Sequence, residues 1–176
     1  NFWEIVTRHH SFAIGGVSFH EWFDGPDVEA GPSIDDGKHL PPTTAESCDT
    51  YNMLKLTALL IERTPDRADY GDYFERALCN HILATIAPDT GAMTYFMPLH
   101  GDFRTYLDGT YCCVGTGIEN TARYNEGIYF QRPGQLGVNL YLPSTLDWSA
   151  QGLTLKQEGF PPFAHTVRLT VVHAVH

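Results

Sequence analysis

Two cysteines stand side by side in Thr110-Tyr111-Cys112-Cys113-Val114-Gly115-Thr116-Gly117. A disulfide between neighbours closes a strained ring that needs unusual peptide geometry. On a turn with Gly109 upstream and two glycines downstream, both sulfurs can instead face one point. That is half of a site for a soft metal, and it needs two more donors. Ala45-Glu46-Ser47-Cys48 offers them. Glu46 and Cys48 are two apart, so in an extended segment their side chains leave on the same side. One carboxylate and three thiolates would complete a tetrahedral zinc shell. The competing reading of any free cysteine is a small core hydrophobe. It suits Cys79, which falls mid-helix in Arg76-Ala77-Leu78-Cys79-Asn80 with no thiol beside it. It suits Cys112 and Cys113 poorly, because a glycine-rich turn is a bad place to bury two inert thiols.

A second chemical candidate is Glu21, in Val17-Ser18-Phe19-His20-Glu21-Trp22-Phe23. Apolar walls raise a carboxyl pKa by desolvating its charged form, and a raised pKa suits a general acid near neutral pH. The competing reading is a surface glutamate on a loop, its aromatic neighbours pointing away. Sequence alone leaves both open.

The chain that must position these groups has 176 residues, 43% of them hydrophobic and 12% aromatic, enough to bury a core. Its formal net charge of -10 argues against nucleic acid and anionic membrane surfaces, which reward basic patches. It has no apolar run of membrane-spanning length and no signal-peptide pattern. It begins inside an apparent helix and stops inside an apparent strand, so it is expected to be an internal fragment of a longer protein. Four cysteines with one adjacent pair do not resemble a secreted disulfide framework. Localisation and oligomeric state stay open.

Asn1 to His10 reads as helix with Phe2, Ile5 and Val6 on one face and Trp3 to the side. Gly15-Gly16 reads as its stop signal. Asp24 to Thr44, rich in Pro, Gly and Asp, reads as a long loop, with His39 in it solvated. Ser47 to Arg63 reads as helix, with Leu56, Leu59 and Leu60 inward and Asn52, Lys55 and Glu62 outward. A second helix starts at Asp66 or Asp69 and runs to Ile86; the short join makes the two antiparallel neighbours. His81 reads as a hydrogen-bonded core histidine. Met93 to Pro98 is a short extended run, and Val114 to Gln131 reads as helix, its N-terminus just past the thiols. A helix N-terminus favours negative charge and lowers thiol pKa values. After Pro133-Gly134, alternation at Leu136, Val138, Leu140 and Leu142, at Leu153 to Leu155 and at Val167 to Val175 predicts strands. The expected fold is therefore mainly α, built of helix pairs, with one domain over 1–132 and antiparallel strands of another over 133–176.

Three stretches in order resemble the bacterial β-L-arabinofuranosidases of glycoside hydrolase families 127 and 146, the latter more closely. They are Gly15-Gly16 followed by Glu21, then Glu46-Ser47-Cys48-Asp49-Thr50-Tyr51-Asn52-Met53-Leu54-Lys55-Leu56, then Cys112-Cys113-Val114-Gly115-Thr116-Gly117-Ile118-Glu119-Asn120. The resemblance implies an (α/α)6 barrel followed by β-sandwich domains, of which this chain supplies later helices and first strands. It implies zinc held by Glu46, Cys48, Cys112 and Cys113, with Cys112 as nucleophile and Glu21 as general acid/base. It implies a carbohydrate partner, a glycan ending in β-L-arabinofuranose. His20 stands where the family usually has glycine, changing the shape beside the proton donor, and Ser47 where it has threonine.

Retaining glycosidases ordinarily use two carboxyls about 5 Å apart. Here a thiolate would replace one of them. A free thiol with a pKa of about 8.5 is mostly protonated at neutral pH, and zinc ligation removes that proton. Aromatics such as Tyr95, Tyr106 and Tyr111 suit either a sugar pocket or the core. The alternative function is a non-catalytic carbohydrate-binding protein with a structural zinc. A thiol redox protein is the weakest reading, since there is no Cys-x-x-Cys.

Overall fold

Asn1 caps the first helix, α1 (Phe2–His9): its side-chain oxygen accepts from the Glu4 N–H, and the Glu4 carboxylate reaches back to the cap. This is a computed structural model, and it describes residues 1–23, 25–27, 43–99, 103–161 and 163–174. Most of the expected Asp24-to-Thr44 loop, His39 included, lies outside the described residues. The chain divides into two compact units, Asn1–Asn125 and Glu126–His176.

In the first unit α1 turns a different face inward from the one its apolar spacing predicts. Trp3 and Val6 are buried, whereas Phe2 and Ile5 are 59% and 51% exposed. The indole decides this. Its N–H donates to Thr57 Oγ1 at 2.8 Å, and its ring meets Tyr70 and Tyr73 edge-on, with centroids 4.6 and 5.7 Å away. Burying that large amphipathic ring with its N–H satisfied outweighs burying Phe2.

Helix α2 (Ser47–Arg63) has the expected bounds. Its buried stripe is Thr50, Met53, Leu54, Thr57 and Ile61, and Leu59, expected inward, is largely exposed. Two threonines belong to the stripe because their hydroxyls find backbone acceptors four residues back, Thr50 on Glu46 and Thr57 on Met53. Helix α3 (Ala68–Ala77) packs on α2. It continues as a π-helical turn over Leu78–Ile82 and a 3-10 turn over Leu83–Thr85. His81, on the π turn, is fully buried.

Gly15-Gly16 is more than a stop signal. Gly15 has φ 82°, and a Cβ there would lie 2.8 Å from the Ala77 backbone. A Cβ on Gly16 would lie 2.8 Å from both Ala45 Cβ and His81 Nδ1. Side chains are excluded so that this stretch can lie against α3 and the π turn. Gly16→Ala is therefore expected to destabilise the protein by about 2 kcal/mol or more, since a buried imidazole cannot swing away as a surface side chain can. Chemical denaturation reads this directly, and an unchanged midpoint would show the contact to be soft.

The run Met93 to Met97 is extended, as expected, and acts as a rail. Ile86 bridges Met93, Thr94 bridges Tyr106, and Glu46 bridges Phe96. The Ser47 N–H donates to Tyr95 O at 3.1 Å, and the Met97 N–H donates to Thr44 O at 3.0 Å. The rail thus ties the start of α2 to the end of the α3 segment.

Helix α4 (Cys112–Arg123) begins on the cysteines themselves and is shorter than expected. The residues read as its last turns form a 3-10 turn over Tyr124–Gly127 and then β1 (Tyr129–Arg132), which pairs antiparallel with β2 (Gln135–Val138). Pro133 and Gly134, the latter at φ 70°, make the turn between them. A tight turn that fixes cross-strand register wins over helical periodicity here. In the same unit β3 (Ser144–Trp148), unforeseen in the sequence, pairs antiparallel with β4 (Leu153–Glu158), and β4 with β5 (Arg168–Ala174). The chain is accordingly a mixture of helices and antiparallel strands. Among the described residues no helix is long and apolar enough to cross a membrane.

Candidate metal centre

Two helix beginnings meet at one place. Glu46 is the N-cap of α2, in extended conformation, and Cys48 lies in that helix's first turn. Cys112 and Cys113 open α4, with Tyr111 as N-cap. The sequence placed Glu46 and Cys48 on an extended segment and the vicinal cysteines on a turn. The four side chains converge nonetheless, because both pairs project from first turns. Ala45, just before Glu46, has φ 51°, a left-handed step that turns the chain into the helix. Each helix points the positive end of its dipole at the site, which favours anionic donors.

One ligand atom from each of Glu46, Cys48, Cys112 and Cys113 lies within 4.8 Å of all the others. Cys48 Sγ is 3.3 Å from Cys113 Sγ, and Cys112 Sγ is 4.0 Å from Cys113 Sγ. Cys113 Sγ is 3.3 Å from Glu46 Oε1, and Cys112 Sγ is 4.0 Å from it. Sulfurs bound tetrahedrally to one ion at about 2.3 Å stand about 3.8 Å apart, so these spacings suit a four-coordinate metal. Glu46 and Cys113 are buried, Cys48 is half-buried, and Cys112 is exposed on the open side.

The protons fit that reading. Burial, with Asp49 and Cys48 nearby, pushes the Glu46 carboxyl up to about 8. The hydrogen bond from Cys113 pulls the Cys48 thiol down to about 6. Cys113, giving that hydrogen bond and buried, is held well above the ordinary thiol range. Thr116 Oγ1 stands 3.2 Å from Cys48 Sγ, a second polar contact to that sulfur. A cation would take the place of the protons held by Glu46 and Cys113 and would find in Cys48 a thiol that ionises readily. Cys79 lies outside the group; it is half-buried, and burial raises its thiol pKa.

Glu21 is one of two tip residues in a tight turn. The Phe19 N–H donates to Trp22 O at 3.0 Å and the Trp22 N–H to Phe19 O at 3.1 Å. The carboxylate is exposed rather than walled in by aromatics. What holds it is Tyr95, whose hydroxyl donates to Glu21 Oε1. The same hydroxyl accepts from Cys112 Sγ at 3.1 Å. Tyr95 thus links a carboxylate on one segment to the exposed thiol of the metal cluster. Its two partners, Cys112 foremost, drive its phenol pKa upward. The sequence offered Tyr95 only as one aromatic among several. Its place on the rail, directly beside Ser47, is what aims it.

A family model described as the beta-L-arabinofuranosidase, GH127 catalytic domain, matches residues 1–126. A comparison with curated proteins finds no match. Among solved structures, the chain is similar to a GH127 beta-L-arabinofuranosidase from Geobacillus stearothermophilus T6, with a TM-score of 0.76 and 24% identity over 97% of this chain and 28% of that one. It is also similar to the GH127 beta-arabinofuranosidase BT3674, with a TM-score of 0.74 and 23% identity over 96% of this chain and 26% of that one. A structure described as a glycoside hydrolase follows, with a TM-score of 0.71 and 21% identity over 96% and 32%. At these identities the likeness to solved structures is one of fold. The chain spans only about a quarter to a third of their length.

Proposed function

The chain belongs to the GH127 beta-L-arabinofuranosidase catalytic-domain family, and on that premise we propose that it carries the reacting groups of a retaining glycosidase that releases terminal β-L-arabinofuranose from glycans. Residues 1–132 would supply helices of an (α/α)6 barrel and 133–176 the first strands of a β-sandwich. The closer likeness to family 146 belongs to the same proposal.

The observation that carries it is the Tyr95 bridge. Cys112 and Glu21 both contact one hydroxyl, so their facing atoms lie within about 6 Å of each other. A retaining mechanism asks for about 5 Å between nucleophile and acid/base, which falls inside that bound. In the first step Cys112 sulfur would attack the anomeric carbon as the bond to the leaving oxygen breaks. Glu21 would give that oxygen its proton. In the second, Glu21 would take a proton from water, whose oxygen attacks the same carbon and expels the Cys112 sulfur. Zinc, held by Glu46, Cys48, Cys112 and Cys113, would supply a deprotonated and fixed sulfur at neutral pH. Tyr95 would orient the Glu21 carboxylate and keep it facing the sulfur.

One observation favours a second reading. Four protein donors close a tetrahedral shell, as structural zinc sites do. A carbohydrate-binding protein with a structural metal would present the same cluster.

Kinetics of the full-length protein on β-L-arabinofuranosides decide between them. Glu21→Gln should lower kcat/KM by roughly 10²- to 10⁴-fold on a substrate with a poor leaving group, and less on an activated aryl glycoside. Undiminished activity on both substrates would remove Glu21 from the mechanism.

A further inference from the structure

His20 and Glu21 are the two central residues of the tight turn that joins Phe19 to Trp22. His20 has φ 51°. That left-handed position in a two-residue turn is ordinarily filled by glycine or asparagine, because a Cβ crowds the backbone there. A histidine held in it needs compensation. Its N–H donates to Thr43 O at 2.7 Å, but any residue except proline could make that bond. The side chain's own contact is a stack on Trp22, with ring centroids 5.0 Å apart and planes 28° from parallel. The stack is not core packing: His20 is exposed and Trp22 is 56% exposed. Two aromatic rings thus lie near parallel at the surface of this chain, one residue to either side of Glu21.

A general acid must reach the glycosidic oxygen, so the group attached to that oxygen passes close to the acid's chain neighbours. Sugar rings carry apolar C–H faces that pack on aromatic planes. Strained backbone that persists beside a reacting group marks a place where conformation serves function.

We propose that the His20–Trp22 stack is the leaving-group subsite of this chain, binding the apolar face of a pyranose sugar to which the arabinofuranosyl unit is attached. This rests on the glycosidase reading above. His20 orients the indole, and Trp22 supplies the platform. Both are specificity-determining residues rather than participants in bond cleavage.

The test compares kcat/KM on methyl β-L-arabinofuranoside with kcat/KM on a β-L-arabinofuranosyl pyranoside disaccharide, in the full-length protein. Trp22→Ala should lower the disaccharide-to-methyl ratio by about 3- to 10-fold, the range of a single aromatic stacking contact. His20→Gly should lower the same ratio while leaving the thermal midpoint unchanged or raised, because glycine fits φ 51° without strain. A structural role alone would lower both substrates in proportion, or lower the midpoint, and would overturn the subsite. Wild-type protein that releases arabinose from neither substrate would overturn the glycosidase reading and this one with it. Activity on both substrates with an unchanged ratio in both variants would overturn this one alone.

Discussion

Cys112→Ser should reduce turnover of an activated β-L-arabinofuranoside by roughly 10³-fold or more in the full-length protein. A serine hydroxyl of similar size stays protonated at neutral pH, where a metal-bound thiol does not. The measurement separates the two readings of the cluster if metal content is assayed alongside. Under the catalytic reading, activity stays lost when zinc is supplied in excess. Under the structural reading the unsubstituted protein turns over no arabinofuranoside either, and saturating zinc restores the variant's fold and sugar binding, since Cys112 is the exposed member and Glu46, Cys48 and Cys113 still hold the ion. A covalent sugar adduct on Cys112, seen by mass spectrometry with a slow substrate, would support the catalytic reading independently.

The second large effect concerns the metal itself. One zinc per chain is expected, with Cys48→Ala weakening its binding by about 100-fold or more. The proton inventory adds a pH signature. Without metal, Glu46 holds its proton up to about pH 8, and Cys113 stays protonated well beyond neutrality. Zinc must displace both, so apparent affinity should rise as pH increases from about 6 to 8. Stability of the metal-free protein should fall as pH rises from about 4.5 to 6, where Glu46 acts alone, and level off above 6, where the Cys48 thiol, lowered from 9.0 to about 6, acts in the opposite sense. A carboxyl whose folded pKa is raised from 4.5 to about 8 binds more protons folded than unfolded. Its contribution is therefore complete at low pH and is lost as pH climbs through that interval. Competition with a chromophoric chelator measures the first trend and chemical denaturation the second. An affinity that does not change with pH would mean that these groups are not the ligands.

Part of this was legible from residue order. Helix α2 has the predicted bounds because Pro65 and the polar join beyond Arg63 punctuate it. Thiols and a carboxylate at short spacing could be matched as donors because metal coordination depends on a few side-chain types. The local geometry was less legible. Whether Cys112 sits on a turn or a helix depends on Tyr111 adopting an extended cap, which Gly109 and Gly115 do not signal. The inward faces of α1 and α2 follow two hydrogen bonds, Trp3 to Thr57 and Thr57 to Met53, and a hydropathy pattern does not carry hydrogen bonds. Ile128 and Tyr129 continue the apolar phase of α4 and so read as helix, although they lead into a hairpin. Tyr95 was one of nine tyrosines. It stands out only once strand pairing brings it between Glu21 and Cys112.

The π turn at Leu78–Ile82 has a consequence for how this architecture tolerates length change. Such a turn holds one residue beyond what an α-helix would use, so it can be viewed as an ancestral single-codon insertion. A further insertion or deletion, with no second bulge to absorb it, would rotate everything downstream by about 100°. The imidazole under Gly16 would swing off its seat, and Thr85, which pairs with the Tyr95-bearing rail through the Thr94 amide, would change phase. Length variation among kindred proteins should therefore avoid this short interval, though it lies outside the metal cluster.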